Sequence, residues 1–187
     1  MINGDVLMRT FIAVDLPEEF HSKLAHIQAR FDGFKFKFVD PALVHITMKF
    51  LGEVPEEKID DISKALDGIT CAPFEISVHS LGVFPKPKFA KVIWIGCEGN
   101  FEELHRLIET SLSSFGFNQD PHDFTAHATL ARVKYLPKKK KEDFLHLLEE
   151  LKDIELGTMQ VDAIRLKRST LTPEGPVYET LHEVLLK

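Results

Sequence analysis

The 187 residues include 23 basic and 29 acidic side chains, for a net charge of −6, with 44% hydrophobic and 28% charged residues. This composition fits one globular domain with a sizeable core, excludes disordered and fibrous classes, and offers no run of about 18 apolar residues to cross a membrane. The acidic balance argues against a long groove that coats nucleic acid, but not against an enzyme that handles one or two phosphates at a strand end.

Cys71 and Cys97 form neither a CxxC pair nor a disulfide framework, and the first twenty residues lack a secretory pattern. The expected setting is therefore the reducing cytoplasm. A strand is expected at about 9–15, RTFIAVD. Pro17, Glu18 and Glu19 then open a helix, with proline in the first turn and acids at the positive end of the dipole. Phe20, Leu24, Ile27 and Phe31 share its inner face. FKFV at 36–39 reads as a short strand and VHITMKFLG at 44–52 as a long one, with Val44, Ile46, Met48 and Phe50 directed to a core. A helix follows Pro55, with Ile59, Ile62, Leu66 and Ile69 inward. Strands starting at Phe74 and Lys91 are joined by the turn-rich GVFPKPKF. Asn100 is placed to cap a helix that buries Phe101, Leu104, Ile108, Leu112 and Phe115 and stops at Gly116. A strand from Phe124, a helix opened by Pro137 and two long strands at 158–170 and 177–186 complete the chain, the last two separated by a turn at 173–176.

The second half repeats the first at a nearly constant offset. His127 follows His45 by 82 residues, and Pro137, Phe144 and Leu148 follow Pro55, Ile62 and Leu66 by the same 82. An internal duplication predicts a single bilobal domain over 1–187, built from similar halves at roughly 8–82 and 90–170 with a C-terminal strand at 177–186. The expected class is α+β: two pseudo-symmetric antiparallel-rich sheets, helices on their outer faces and a central cleft.

Two short motifs occupy equivalent places in the halves: His45-Ile46-Thr47-Met48 and His127-Ala128-Thr129-Leu130. Alternate residues of a strand share a face, so His45 with Thr47, and His127 with Thr129, stand together opposite the core. Either pair alone is an ordinary half-wet strand surface; both at matching positions point to a site. Two imidazoles at one cleft suit general acid–base catalysis, because one can be neutral while the other is protonated near neutral pH. Threonine adds a neutral donor for a non-bridging phosphate oxygen. No nucleophile elbow, HExxH or Cys/His cluster occurs, and His122 and His127, five apart, do not suit a shared metal. No metal or cofactor is therefore expected.

With these blocks in order, the chain resembles the 2H phosphoesterase superfamily. The nearest branch is the archaeal and bacterial RNA 2′,3′-cyclic phosphodiesterases, also called the 2′-5′ RNA ligase family. The likeness is carried by MRTFIA at 8–13, VHITMKFLGEV at 44–54, GVFP at 82–85, VIWIG at 92–96, FTAHATLAR at 124–132 and STLTPEGPVY at 169–178. Two departures are visible: Ala126 stands where the family often has proline, and Phe38 where an aromatic, often tryptophan, precedes the first motif. Residues 1–7 precede the family's usual start, which makes Met8 the expected initiator. The resemblance implies hydrolysis of RNA 2′,3′-cyclic phosphate ends, tRNA fragments among them, to a 2′-phosphomonoester by a monomeric enzyme. It implies His45 as proton donor, His127 as proton acceptor, and Thr47 and Thr129 as ligands of the non-bridging oxygens. Reversible 2′-5′ RNA ligation and a non-catalytic RNA-end binding module are the alternatives.

The same resemblance suggests Arg132 as a phosphate contact, although on a regular strand it would face away from His127. Phe124 is a candidate for stacking on a base and equally for a core aromatic. Lys49 extends the His45 face, as a phosphate guide or a solvated lysine. Lys138–Lys141 reads more as a solvated first helical turn than as an RNA contact, and Lys35, Lys37, Lys86, Lys88 and Lys91 are candidates to rim the cleft. His21, His26, His79, His105, His122, His146 and His182 are expected to be structural or exposed.

Overall fold

A computed structural model describes residues 6–118, 123–173 and 175–187. His122 and Glu174, the latter in the expected turn at 173–176, lie outside the described residues. In chain order the elements are β1 (Leu7–Asp15), α1 (His21–Ala29), β2 (Lys37–Phe38), β3 (His45–Pro55), α2 (Ile59–Asp67), β4 (Phe74–Phe84), β5 (Val92–Glu98), α3 (Phe101–Ser111), β6 (His127–Arg132), α4 (Lys141–Leu151), β7 (Glu155–Val161), β8 (Ala163–Leu171) and β9 (Pro176–Leu185). Gly116 ends the α3 region in the left-handed conformation expected of it, at φ 70°. Asn100 does not cap α3 by a bond to backbone; its amide donates to the Glu103 carboxylate at 2.7 Å.

The strands form one sheet in the order β7-β4-β5-β6-β3-β1-β8-β9, with β2 added on β6, and every pairing is antiparallel. The α+β class is borne out, with the two expected sheets present as two arms of this one sheet. Neither arm is built from one half of the sequence alone. One arm joins β3 and β1 to β8 and β9; the other joins β6 and β5 to β4 and β7. The strand expected at 158–170 is two strands, because the chain leaves one arm and enters the other at Asp162. Nothing local marks that crossing: no glycine or proline interrupts the run, and only the pairing partners change.

Helices cover one side of both arms. α1 and α4 pack on the β6 and β4 side, and α2 and α3 on the β9 and β3 side. Leu24, Ile27, Ile62, Leu66, Leu104, Ile108, Phe144 and Leu148 meet Ile12, Ile46, Ile76, Ile95 and Leu130 in a continuous core. Each such side chain contributes roughly 1.5–3 kcal/mol by leaving water. With the helices on one side, the other side of the sheet is left open, and both histidine motifs lie on it. Among the described residues one ladder pair joins the arms, Ile46 with Ala128, at the junction of β3 and β6.

Candidate active site

That single pair fixes the geometry of the site. Continuing its antiparallel register by one residue sets His45 opposite Thr129 and Thr47 opposite His127. The four side chains then form a quadrilateral on the open face, with the histidines on one diagonal and the threonines on the other. Each threonine faces the histidine of the other motif. The arms diverge beyond the junction, so the quadrilateral lies at the floor of a trough.

Each imidazole is fixed in the same way. His45 Nδ1 lies 2.8 Å from the Leu43 carbonyl, and His127 Nδ1 lies 2.7 Å from the Thr125 carbonyl. A carbonyl only accepts, so in both rings Nδ1 carries hydrogen and donates it. Nε2 is therefore the ring atom that can accept a proton when the imidazole is neutral and give one up when it is charged. Aromatic walls hold each ring on its flanks. His45 stacks on Phe11 at 4.9 Å and meets the edge of Tyr178 at 5.2 Å. His127 meets Phe84 at 5.0 Å and Trp94 at 6.0 Å. These four flanking aromatics were not recognisable from the motifs, because they come from β1, β9, β4 and β5 and converge only in the folded sheet.

Bulges place the neighbouring residues. On β3, Thr47 pairs with Ala13 and Lys49 with Ile12, so Met48 is an extra residue; on β6, Thr129 pairs with Trp94 and Ala131 with Ile93, so Leu130 is extra. Both bulges sit three residues after the histidine. A bulge resets the alternation and re-aims the side chains beyond it. Arg132, which a regular strand would turn away, pairs with Val92 and so shares the face of Trp94, Thr129 and His127. Its charge, with that of Arg9, acts against the burial that pushes the Tyr178 hydroxyl above its usual range.

The bulge at Met48 overturns two expectations. Phe50 is 62% exposed rather than in the core, and its ring lies 6.3 Å from Phe11 on the open side. Lys49 leaves the His45 face and is buried, its ammonium 2.6 Å from Glu109 and 3.2 Å from the Asn118 carbonyl. It guides no phosphate at the cleft. The common spacing of Phe50 and Arg132 from their histidines was the one sequence signal that related the two positions. Phe124, five positions before Trp94's partner Thr129, is half-buried and stacks on His105 of α3 at 4.3 Å; the rings around His127 are Phe84 and Trp94.

The two histidines differ in their ionic neighbours. His45 is paired across β1 and β3 with Asp15, whereas the partner of His127 on β5 is Gly96. Lys167 donates to both Asp15 oxygens at 2.5 and 2.7 Å, and Arg165 lies 3.5 Å from the same carboxylate. Burial pulls the His45 imidazole below its ordinary value of 6.5; the Leu43 hydrogen bond opposes this, Lys167 adds to it and Asp15 opposes it. A neighbouring cavity of about 490 Å³, lined by Asp15, Glu19, Gln160, Asp162 and Arg165 among others, contains neither histidine. Among the described residues no three His, Cys, Asp or Glu side chains converge as a metal site, and no helix is long and apolar enough to cross a membrane. Of the remaining histidines, His79 bonds Ser80 and Glu98, His146 pairs with Glu150 and His182 with Asp67, all outside the quadrilateral.

A trough with two tautomer-locked imidazoles and two hydroxyls is equipped to bind an anion and move two protons. Known proteins are similar to this chain in sequence and in fold. Relatives named RNA 2′,3′-cyclic phosphodiesterase, from Methanocaldococcus jannaschii and Archaeoglobus fulgidus, are each 38% identical over 177 residues, covering 94% and 93% of this chain and 99% and 98% of their own. A crystal structure from Thermus thermophilus superposes with a TM-score of 0.81 at 29% identity, over 96% of this chain and 98% of that one. E. coli LigT complexed with 3′-AMP matches in fold, with a TM-score of 0.78 at 22% identity and coverage of 97% and 99%. The pattern described as LigT like Phosphoesterase matches residues 14–94 and again 96–178, two stretches that each carry one histidine motif. By these matches along nearly its whole length, the chain belongs to the LigT-like phosphoesterase family.

Proposed function

We propose that this protein is a hydrolase that opens the 2′,3′-cyclic phosphodiester at the end of an RNA strand, leaving a 2′-phosphomonoester. The observation that carries the reading is the pair of Nδ1-anchored imidazoles on one open face, each with Nε2 as its working atom. The names of the relatives support the substrate class.

In this reading the phosphate lies over the quadrilateral. Neutral His127 accepts a proton from water at Nε2 as the water oxygen bonds to phosphorus. Protonated His45 gives its Nε2 proton to the 3′-oxygen as the bond from phosphorus to that oxygen breaks. The two histidines end with exchanged protonation states, and solvent restores them. Thr47 and Thr129 donate hydrogen bonds to the non-bridging oxygens, and Arg132 offsets their growing charge. A buried imidazolium that holds its proton weakly is the stronger acid, which suits His45 as donor; the negative substrate favours its charged form on binding. tRNA fragments with cyclic ends are candidate substrates.

The test is an oligonucleotide with a 2′,3′-cyclic end, incubated with EDTA and analysed for its product. The expected product is the 2′-phosphate. His45→Ala and His127→Ala should each lower kcat by roughly 10²–10⁴-fold, the range for loss of one proton-transfer group. Turnover that survives both substitutions would reject the mechanism, and a joined 2′-5′ product would point to ligation instead.

A further inference from the structure

Away from the quadrilateral, the charge of the molecule is unevenly spread. Segments 34–39, 84–92 and 132–141 contain ten lysines and Arg132 but no acid, eleven of the chain's 23 basic residues. The rest of the chain sets twelve basic residues against all 29 acids. The fold brings these three separate segments together. Lys37 of β2 and Val92 of β5 both pair with Arg132, on either side of β6. The Val133 amide donates to the Lys91 carbonyl at 2.8 Å. Lys141 lies over the Phe89 ring at 5.7 Å, Lys86 over the same ring at 5.3 Å, and Lys140 over Phe34 at 5.6 Å. The lysine run at the start of α4, which by itself reads as a solvated turn, thus packs beside the β4–β5 hairpin loop and completes one basic ledge.

Elsewhere in the molecule four of the seven lysines pair with described carboxylates: Lys49 with Glu109, Lys64 with Asp61, Lys152 with Glu149 and Lys167 with Asp15. None of the ten ledge lysines pairs with a described carboxylate. Asp40, Glu142 and Asp143 flank the segments in sequence without entering such a pair. Assembling like charges in this way costs energy that a polyanion recovers. Two of the largest exposed apolar side chains stand in the same ledge, Phe89 at 62% and Tyr135 at 72% exposure. Aromatic rings among cations are what a single strand of nucleic acid requires: charge for its phosphates and flat faces for its bases. The ledge is continuous with the trough, since Phe84, which flanks His127, leads directly into the Pro85–Lys91 loop.

We propose that this ledge is the binding track for the single-stranded RNA immediately 5′ of the terminal cyclic phosphate, with Phe89 and Tyr135 as stacking platforms. The inference rests on the functional reading above and extends it: the enzyme distinguishes an RNA strand from a free cyclic nucleotide by this surface. It also reconciles an acidic protein with a polyanionic substrate, because the acids lie outside these three segments.

Two variants test it: the charge reversal Lys86→Glu, Lys88→Glu, Lys138→Glu, Lys139→Glu, and the double truncation Phe89→Ala, Tyr135→Ala. All six side chains are exposed, so folding is expected to be kept and is checked by the melting transition. For an octanucleotide with a 2′,3′-cyclic end, the charge reversal should raise KM by about tenfold or more, while hydrolysis of cytidine 2′,3′-cyclic monophosphate stays within about twofold of the parent. Fluorescence anisotropy of an octanucleotide ending in a 2′-phosphate should show the same loss of affinity, with the salt slope reduced by about 0.7 for each phosphate contact removed. The truncation should weaken octanucleotide binding with little change in salt slope. Equal effects on octanucleotide and mononucleotide, or no effect on either, would overturn the proposal. So would unchanged RNA affinity alongside lost binding to anionic vesicles or polyglutamate, which would assign the ledge to another partner. Because the anisotropy arm needs no turnover, it decides the ledge even if cyclic ends prove not to be hydrolysed, an outcome that would reject only the functional reading.

Discussion

Gly82 offers a severe test of how the His127 wall is built. A Cβ placed on Gly82 would lie 2.2, 2.4 and 2.7 Å from Cζ2, Cη2 and Cε2 of Trp94, its cross-strand partner. Ordinary carbon contacts begin near 3.4 Å, so Gly82→Ala requires the indole to move by about 1 Å or more. The indole cannot move alone, because it lies 5.1 Å from Phe84 and 6.0 Å from His127, and Phe84 lies 5.0 Å from His127. Overpacking of this kind costs roughly 1–3 kcal/mol. In the proposed mechanism, displacing the His127 ring by about 1 Å loses on the order of 10²-fold in rate. Gly82→Ala should therefore lower kcat for the cyclic end by about that factor, with a modest fall in Tm. The second half of the test is Trp94→Phe, which removes Cζ2 and Cη2, the two atoms nearest the added methyl. The indole Nε1 has no hydrogen-bond partner among the described residues, so phenylalanine gives up no such bond there. Adding Trp94→Phe to Gly82→Ala should recover most of the lost rate, a coupling between direct contacts that a double-mutant cycle reads directly. Full activity and unchanged Tm in Gly82→Ala, or a double variant no better than the single one, would refute the claim that Trp94 positions His127.

Three other side chains carry predictions of their own. His45 should titrate by NMR with a midpoint below 6.5, and inorganic phosphate in the trough should raise it, because the anion favours the charged ring. Since the folded chain holds this proton more weakly than the unfolded chain, the stability linked to His45 is intact above about 6.5 and is lost as pH falls through the lowered folded value. The fall in Tm toward pH 5 should accordingly be smaller in His45→Gln. Lys49→Met should leave turnover near the parent level but lower stability by roughly 1–3 kcal/mol in denaturant titration, because Glu109 loses its buried partner; a selective loss of phosphate binding would instead return Lys49 to the site. The Cys97 thiol, pushed up to about 12 by burial, should resist alkylation at pH 8 in the folded protein and react once the chain is unfolded; rapid labelling of native Cys97 would show that the β5 face opens.

The amino-acid sequence determined the alternation of apolar residues around His45 and His127, the 82-residue spacing between them, and so the presence of two polar pairs opposite a core. It also determined most of the helices, because a 3.6-residue pattern such as Phe101, Leu104 and Ile108 is a local property that tertiary packing only confirms. Alternation fails wherever a strand gains a residue, and whether it does depends on the partner strand. The bulges at Met48 and Leu130 are visible only against β1 and β5, and they alone turn Phe50 and Arg132 toward the trough and Lys49 into the core. Likewise, the change of arm at Asp162, the aromatic walls of each imidazole and the convergence of three lysine segments join residues far apart in the chain. The physical reason is one of range: periodicity and capping are written within a turn or a strand, whereas register, pairing and charge clustering are settled by energies that exist only once distant segments touch.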